Sequence, residues 1–279
     1  NTREDACHKN CILHKNNGFR PSIAIFGAMV YIRKLLLRLW NIWFYFLSGF
    51  GIICLFPFLL ICLMREKWYA GIFYMGRYIW SPIILFCMGF IPVIKHKANI
   101  DYSKQYMFIA NHLSMIDIMM LFMTIRKPGV FVGKMELDRI PLFATIYKRG
   151  AILVNRDSAA SRKNVYMQAK HKLNLGFNMV IFPEGLVPEP EVFMAPFKNG
   201  AFSIAIEHQI PVVPITLPDC KKRFPFQFSY KYWVGKPGVV RAHVHEPIST
   251  VGLTQEDMPA FKEKVHQFMS EKLKQEGYK

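Results

Sequence analysis

Acidic residues are scarce in this 279-residue sequence, which contains 19 Asp and Glu against 36 Lys and Arg and has a formal net charge of +17. Such an excess of positive charge favours an anionic partner: nucleic acid, an acidic membrane surface or a phosphorylated substrate. The sequence lacks a zinc-finger or RNA-binding signature, and its basic residues are dispersed among apolar segments. We therefore predict membrane lipids and phosphorylated molecules, and no nucleic acid, as partners.

Four common catalytic signatures are also absent: the Gly-x-Ser-x-Gly elbow, the Walker A loop, the Gly-x-Gly-x-x-Gly fingerprint and the His-Glu-x-x-His motif. Each is the usual mark of one enzyme class, namely serine hydrolases, NTPases, dinucleotide-dependent enzymes and zinc proteases. The sequence therefore argues against all four classes.

The six cysteines do not have the spacing of a disulfide framework, which suits a protein from a reducing compartment. Cys7, His8, Cys11 and His14 have a spacing that suits a metal ion, but they lie in a short polar tail before the predicted fold. We therefore predict no bound metal and no organic prosthetic group, and the role of this tail stays open.

Apolar residues, by contrast, are abundant: they make up 52% of the sequence, and 15% of all residues are aromatic. An uncharged run at Leu39–Met64 is long enough to cross a bilayer of about 30 Å. A second uncharged run, Tyr78–Ile94, is shorter and contains two prolines. Residues 39–94 are therefore predicted to form a membrane-associated two-helix motif, after a polar and basic lead-in at residues 1–38.

The orientation of the two runs is not fixed by the charges around them. Basic residues precede the first run, separate the two runs and follow the second, so the positive-inside rule gives no clean answer. Two ordinary transmembrane helices would put the basic segment between the runs on the opposite side of the membrane. A hairpin that dips into one leaflet would keep every cation on the cytoplasmic side. Both topologies stay open.

From residue 95 onward, apolar runs of strand length alternate with segments of helical length. The predicted strands are Tyr106–Ala110, Val130–Gly133, Ala151–Val154, Met179–Phe182, Val212–Leu217 and Val239–His245. The predicted helices are Met115–Ile125, Leu137–Lys148, Ser158–Leu175, Asn199–His208 and a last helix that opens with the capping box Thr254–Asp257. This alternation predicts an α/β domain over residues 95–279, with a mixed, largely parallel sheet flanked by helices.

The stretch Asn-His-Leu-Ser-Met-Ile-Asp, residues 111–117, lies at a predicted strand-to-helix turn. His112 and Asp117 can meet there if the histidine lies in the turn and the aspartate in the first helical turn. Ser114 and Asp117 also fit a capping box, with Ser114 as N-cap and Asp117 as third helical residue. The two interpretations are compatible, because a capped first turn is a rigid support for a carboxylate beside an imidazole.

Three other stretches carry candidate ligands at predicted strand ends, where α/β sheets usually bind ligands. Arg156 follows a buried strand, and its guanidinium suits a phosphate, although a single exposed loop arginine is the commoner case. Glu184 is predicted at the mouth of a Pro-Glu-Gly turn, where it can accept a substrate hydroxyl or orient a cation. Lys198 opens a predicted helix, whose free amides would add to its attraction for an anion.

Taken together and in order, Asn-His-Leu-Ser-Met-Ile-Asp, Ala-Ile-Leu-Val-Asn-Arg-Asp, Phe-Pro-Glu-Gly and Val-Val-Pro-Ile-Thr resemble the four motifs of the lysophosphatidate (1-acylglycerol-3-phosphate) acyltransferase family. The resemblance implies transfer of a fatty acyl group from acyl-CoA or acyl-acyl carrier protein to lysophosphatidate, giving phosphatidic acid for phospholipid synthesis. It also implies a membrane enzyme whose N-terminal pair dips into one leaflet and whose catalytic domain lies on the cytoplasmic face.

The same resemblance implies roles for individual residues. His112 would be the general base, and Asp117 would orient and polarise it. Arg156 would be a phosphate ligand, and Glu184 and Gly185 would belong to the site for the glycerol phosphate of the acceptor. Asn111 would support the motif beside the substrate.

This sequence departs from the family pattern after the Pro-Glu-Gly turn, where family members commonly have Thr and Arg and this chain has Leu186 and Val187. The departure removes a second phosphate contact, for which Lys134 and Lys198 are the candidate substitutes. The acceptor therefore stays open between lysophosphatidate and glycerol 3-phosphate, another lysophospholipid or an aminolipid. A non-catalytic protein that binds acidic membranes is the further alternative, which the intact pair of His112 and Asp117 disfavours.

Overall fold

The computed structural model describes residues 23–97, 99–134, 142–154, 159–189, 191–226 and 234–278. At residues 23–26, 134 and 159–163 it describes the backbone only. Arg156 and the tail from Cys7 to His14 lie outside these ranges, so what the sequence predicts for them stays a prediction.

Seven strands form one sheet: β1 (Phe90–His96), β2 (Met107–Ala110), β3 (Gly129–Lys134), β4 (Ile152–Val154), β5 (Asn178–Ile181), β6 (Val212–Thr216) and β7 (Gly238–Val244). Their order across the sheet is β1-β7-β6-β2-β5-β3-β4. The five strands from β6 to β4 in this order are parallel, β7 is antiparallel to β6, and β1 is parallel to β7. The predicted mixed, largely parallel sheet is confirmed.

Helices cover both faces of this sheet. They are α1 (Ile23–Leu63), α2 (Ala70–Met75), α3 (Ser81–Cys87), α4 (Asp117–Thr124), α5 (Phe143–Gly150), α6 (Ala159–Asn174), α7 (Asn199–Glu207), α8 (Cys220–Arg223) and α9 (Met258–Gln275). The predicted strands and helices beyond residue 95 recur within a few residues of their predicted bounds, except that 135–141, in the helix predicted at Leu137–Lys148, lie outside the described ranges. Neither α8 nor β1 was predicted.

Residues 90–94 belong to the sheet, and the prediction that assigned them to the membrane motif is wrong. β1 pairs with β7 along its full length, and Phe90 is buried. β1 is the outermost strand, where Pro92 is tolerated because one side of the strand needs no ladder hydrogen bonds. The uncharged run therefore changes from helix to strand at Gly89, whose φ of +73° suits a glycine at the turn.

The first apolar helix packs along the α/β domain. α1 begins at Ile23, so much of the predicted lead-in is helical. Near its middle, the ring of Phe44 lies 4.6 Å from that of Phe224, and near its end Leu63 packs on Ile146 of α5. The opposite face of α1 exposes large apolar side chains, among them Met29, Leu36, Phe46, Phe50 and Phe58.

The second apolar run also lies against the domain. Its helical part, residues 78–87, lies in a π-helical turn at Gly76–Trp80 and in α3, and α2 precedes it directly. The guanidinium of Arg77 donates to three backbone carbonyls at the C-terminal end of α4, those of Phe122, Met123 and Ile125. Carbonyls at a helix end otherwise lack partners. Arg77, one of the basic residues that separate the two apolar runs, therefore fixes the start of the second run to α4.

Two apolar cores lie on opposite faces of the sheet. Met107 and Ile109 of β2 join the core that α6, α7 and α9 cover, whereas Phe108 and Ala110 join the core under α3 and α4. Successive residues of a strand point to opposite faces, and both faces are covered here, so the whole of β2 is buried. The C-terminal end of this central strand leads directly into the turn at residues 111–117.

Candidate active site

The turn between β2 and α4 brings His112 and Asp117 into contact. Nδ1 of His112 lies 3.0 Å from Oδ2 of Asp117, and the same oxygen accepts the backbone N–H groups of Leu113 and Ser114 at 2.9 and 2.8 Å. Asp117 is fully buried, whereas 17% of the His112 side chain is exposed. The carboxylate therefore selects the tautomer with a proton on Nδ1, and Nε2 is the ring atom that presents a lone pair.

The predicted capping box is present only in part. α4 begins at Asp117 with Ile116 as its N-cap, so Ser114 is not the N-cap. The Ser114 hydroxyl donates to the carbonyl of Phe224 and accepts the N–H of Ile116 at 3.2 Å. Of the two hydrogen bonds that define a capping box, only the one from the backbone N–H of Ser114 to the carboxylate of Asp117 is present. Asp117 thus closes the turn and holds His112 with one oxygen.

The prediction that Glu184 lies at the mouth of its turn is wrong, since only 1% of the residue is exposed. Its Oε1 accepts the backbone N–H of His112 and its Oε2 accepts that of Ala195, both at 2.8 Å. Interior amides need acceptors, which favours this inward orientation. Burial raises the pKa of Glu184 to about 7, although the two N–H bonds act in the opposite direction. Glu184 therefore ties the His112 turn to the loop before α7.

Two further contacts position the turn. The ring of Phe182, which follows β5, stacks on the imidazole of His112 with 3.9 Å between ring centroids. Asn111 is buried, and its Oδ1 accepts the N–H of Leu217 at 2.8 Å while its Nδ2 donates to the carbonyl of Leu217 at 3.2 Å. Asn111 therefore supports the motif, as the resemblance implies. Because its side chain bonds to the backbone of Leu217, this geometry favours a positioning role over direct contact with the substrate.

Gly185 and Lys198 meet beside this turn. Gly185 has a φ of +73°, and a Cβ at this position would lie 2.9 Å from Cγ of Lys198. The Lys198 N–H donates to the carbonyl of Pro183 at 2.7 Å, and Lys198 is the N-cap of α7, so the predicted helix start is confirmed. The lysine is exposed, and its charge lies near the free amides of the first α7 turn, the combination expected of an anion site.

Of the other two predicted phosphate contacts, Lys134 and Arg156, the structure describes only the backbone of Lys134. Lys134 ends β3 and pairs with Val154 at the end of β4, so its backbone lies at the carboxyl edge of the sheet. Arg156 comes just after the described end of β4. Leu186 is 45% exposed and offers no polar group to a phosphate.

Two buried groups lie beside Asp117 that sequence reasoning missed, the thiol of Cys220 and the hydroxyl of Tyr278. Burial, together with the charge of Asp117, raises the pKa of Cys220 well above its usual value. Both residues are far from the motif along the chain, so no local spacing could have indicated them. Within the described ranges, no group of three or more His, Cys, Asp or Glu is arranged to hold a metal ion.

The site therefore forms where β6, β2 and β5 end, the edge at which α/β sheets bind ligands. A partly exposed imidazole, held by a carboxylate through one nitrogen, can take a proton from a hydroxyl through the other. The nearest hydroxyl in the motif, that of Ser114, is bonded to backbone instead. The motif itself therefore offers no nucleophile, and Nε2 is free to accept a proton from a group outside the motif.

Comparison with known sequences agrees with this chemistry. A family model described as Acyltransferase matches residues 92–218. The 1-acyl-sn-glycerol-3-phosphate acyltransferase of Saccharomyces cerevisiae is 33% identical over 187 residues, which cover 63% of this chain and 58% of the yeast enzyme. The beta form from Homo sapiens is 25% identical over 214 residues, which cover 75% of this chain and 74% of that enzyme. The chain thus spans little more than half the length of the yeast relative.

The fold has a solved counterpart. The crystal structure of the 1-acyl-sn-glycerophosphate acyltransferase PlsC from Thermotoga maritima superposes with a TM-score of 0.70, covering 89% of this chain and 98% of that one, at 23% identity. At that identity the likeness is one of fold. The order of its motifs, its matched sequence and its fold agree: residues 92–218 match the acyltransferase family model, and the chain is similar to 1-acyl-sn-glycerol-3-phosphate acyltransferases.

Proposed function

We propose that the protein transfers a fatty acyl group from an acyl thioester, acyl-CoA or acyl-acyl carrier protein, to the free hydroxyl of 1-acylglycerol-3-phosphate. The product is phosphatidic acid for phospholipid synthesis. The observation that carries this proposal is the bond of 3.0 Å between Nδ1 of His112 and Oδ2 of the buried Asp117, which leaves Nε2 as a base. The curated relatives that bear this activity in their names support the choice of substrate class.

The chemistry needs a base and no enzyme nucleophile, because the thioester is already activated. Nε2 of His112 takes the proton of the acceptor hydroxyl as its oxygen attacks the thioester carbonyl. The tetrahedral intermediate collapses, the C–S bond breaks, and the imidazolium returns the proton to the leaving thiolate. Asp117 stabilises the imidazolium in between, and a positioned base of this kind contributes about 10²–10⁴-fold.

The phosphate of the acceptor is assigned to Arg156, with Lys198 and Lys134 as further cations at the same edge of the sheet. Lys198 is supported by its position at the start of α7. Because Leu186 and Val187 cannot bind phosphate, the related acceptors remain the alternatives: glycerol 3-phosphate, another lysophospholipid or an aminolipid.

The protein is proposed to be bound to a membrane through α1 and the second apolar run, with the catalytic domain on the cytoplasmic face. The helical stretches Gly27–Leu63 and Glu66–Cys87 are each long and apolar enough to cross a bilayer. The exposed apolar face of α1 supports this attachment, since a surface of that kind is stable only when lipid or protein covers it.

The experiment is acyl transfer from radiolabelled acyl-CoA by isolated membranes, with a panel of acceptors. Lysophosphatidate is expected to be the best acceptor. His112→Ala and Asp117→Asn are expected to lower turnover by at least about 100-fold, because one removes the base and the other favours its wrong tautomer. His208→Ala, at the far end of α7, is the matched control and should retain activity.

Near-normal turnover in His112→Ala would contradict the mechanism. A strong preference for an acceptor other than lysophosphatidate would move the assignment to that acceptor. Absence of transfer to every acceptor would favour the non-catalytic membrane-binding alternative.

A further inference from the structure

Tyr278 lies in the interior beside the site, although it follows α9 and is far from the motif in sequence. Only 5% of the residue is exposed. Its ring packs edge-on against Phe193, with 5.1 Å between ring centroids, and Nζ of Lys221 in α8 lies 5.3 Å from the ring centre. Phe193 belongs to the loop that Glu184 holds through Ala195. The phenol is thus enclosed by the segments that pack around the catalytic turn.

Two buried polar atoms in this region have no hydrogen-bond partner among the residues that the structure describes. They are Oδ1 of Asp117 and the hydroxyl oxygen of Tyr278. Buried polar atoms are nearly always paired, so each exception calls for a physical explanation. The two atoms are complementary, because a carboxylate oxygen can only accept and a phenol can donate.

We propose that Tyr278 is a positioning residue of the acyl transfer, whose hydroxyl donates a hydrogen bond, directly or through one water molecule, to Oδ1 of Asp117. The inference rests on the proposed function. Oδ2 of Asp117 already takes the imidazole and two backbone amides. A donor on the other oxygen fixes the carboxylate plane and with it the direction of His112, as hydrogen bonds behind a catalytic group commonly do.

The surroundings keep this hydroxyl protonated, as a donor must be. Burial raises the pKa of Tyr278 well above its usual value, and the charges of Asp117 and Glu184 act in the same direction. The thiol of Cys220 is kept protonated too, and it is the competing donor for Asp117. The titratable groups that act on the hydroxyl are Asp117, Glu184 and Cys220, the side chain of Asn111 lies beside it, and Lys221 faces the ring.

The segment that carries Tyr278 is anchored apart from the site. The Tyr278 N–H donates to the carbonyl of Leu273 at 3.0 Å, which closes the end of α9. Two residues earlier, Oε2 of Glu276 accepts the hydroxyl of Thr216 at 2.6 Å, and its Oε1 accepts the ammonium of Lys97 at 2.8 Å. These bonds tie the segment to the end of β6, so the phenol is held in place whether or not a substrate is bound.

The test is Tyr278→Phe, which keeps the ring and removes only the hydroxyl. kcat is expected to fall about tenfold or more, as for the loss of a hydrogen bond to a charged group, with the KM for lysophosphatidate within about twofold of wild type. The acid limb of the pH profile of kcat/KM should move to higher pH. A carboxylate that has lost its donor holds a proton on His112 more strongly, so more alkali is needed to free the base.

A second measurement does not depend on acyl transfer. Modification of His112 by diethyl pyrocarbonate at pH 7, followed by mass spectrometry, should be slower in Tyr278→Phe, because only the unprotonated imidazole reacts. Tyr106→Phe is the matched control, since its hydroxyl bonds to the carbonyl of Asp101 near the opposite end of β2. It should change neither the modification rate nor the pH profile.

Wild-type kcat, pH profile and modification rate in Tyr278→Phe would overturn the proposal. It would also be overturned if Cys220→Ala reproduced the two shifts while Tyr278→Phe did not, because the thiol would then be the donor. Failure of the wild-type protein to transfer acyl groups would defeat the proposed function instead, and the modification rate would still test the role of Tyr278.

Discussion

His112 is held at three points, each of which fixes a different part of the residue. Asp117 bonds Nδ1, Glu184 accepts the backbone N–H, and the ring of Phe182 covers one face of the imidazole. Proton transfer requires the base within hydrogen-bonding reach of the reacting hydroxyl, so a histidine free to rotate would be a poor catalyst. Only the first of these contacts comes from the seven-residue motif, since Phe182 and Glu184 both follow β5.

Arg156 carries the prediction about the acceptor phosphate. With Leu186 and Val187 unable to share the phosphate, Arg156→Ala should raise the KM for lysophosphatidate strongly and affect the acyl donor less. Loss of a charge-assisted contact costs about 1.5–3 kcal/mol, roughly ten- to a hundredfold in kcat/KM. Arg156→Lys should recover only part, because lysine lacks the bidentate fork. The measurement is steady-state kinetics with each substrate varied in turn.

The control for that prediction is an acceptor without a phosphate. If Arg156→Ala impaired transfer to such an acceptor equally, the arginine would serve the structure and the phosphate site would have to be assigned elsewhere.

The segment between the two apolar helices lies on the α/β domain, which bears directly on membrane topology. Glu66 in this link accepts Nε2 of His171 in α6 at 2.8 Å and lies 3.7 Å from Nζ of Lys172, which also sits 4.2 Å from the ring of Tyr69. At its other end, the second run is held to α4 by Arg77. A hairpin that crossed the bilayer would put the link about 30 Å away on the opposite side. These contacts therefore favour the dip into one leaflet.

Labelling of the link is the test of this topology. In sealed vesicles, Lys67→Cys and Lys264→Cys place reporters at exposed positions of the link and of α9. An impermeant thiol reagent should reach both positions from the same, cytoplasmic, side, as quantified at each position by mass spectrometry. Labelling of position 67 only after permeabilisation, with position 264 labelled before it, would establish a hairpin that spans the membrane.

Across the fold, a buried polar cluster joins the end of α9 to β6 and β7. His243 and His245, which the sequence analysis left as ordinary strand residues, both lie beside Glu276. Nδ1 of His243 bonds to the Glu276 carboxylate. Nε2 of His245 lies 4.0 Å from Oε1 of Glu276 and 2.9 Å from the hydroxyl of Thr216. Lys97 completes the cluster from the end of β1. Since α9 covers one core and carries Tyr278 into the site, this cluster links stability to the geometry of the site.

The cluster predicts a loss of stability in acid. Burial lowers the pKa of His245 to about 4 from an ordinary value of 6.5, although Glu276 opposes this shift. The unfolded chain therefore takes up a proton below pH 6.5 while the folded protein does not, so stability present above pH 6.5 is lost as the pH falls towards 4. The loss from this group is at most about 3 kcal/mol. The Tm of the purified protein, measured against pH, should fall over this range.

His245→Gln removes the titrating group and should flatten that fall, whereas His208→Gln, at the half-buried C-cap of α7, should leave it unchanged. Equal slopes in the wild type and in His245→Gln would show that the acid sensitivity arises elsewhere.

Local pattern in the sequence determined most of the α/β domain and the pairing of His112 with Asp117. The strands between residues 106 and 245 were predictable because each is an apolar run bounded by turn residues, and strand length and helix periodicity are local properties. His112 and Asp117 were predictable because both lie in one seven-residue motif at a strand end. The end of the second apolar run, which forms β1, was wrongly predicted as part of a membrane helix. An uncharged segment can be a lipid-facing helix or a buried edge strand with the same composition.

The tertiary structure decided what depends on contacts between distant segments. Glu184 turns inward because the amides of His112 and Ala195 need acceptors, and Tyr278 reaches the site because Glu276 fixes the end of α9. The link at Glu66 rests on α6 through a hydrogen bond to His171, a residue far from it in sequence. Such pairings depend on which groups the folded backbone brings together. The free energy of burying a polar group is set by its hydrogen-bond partner in the folded protein and not by its neighbours in the chain.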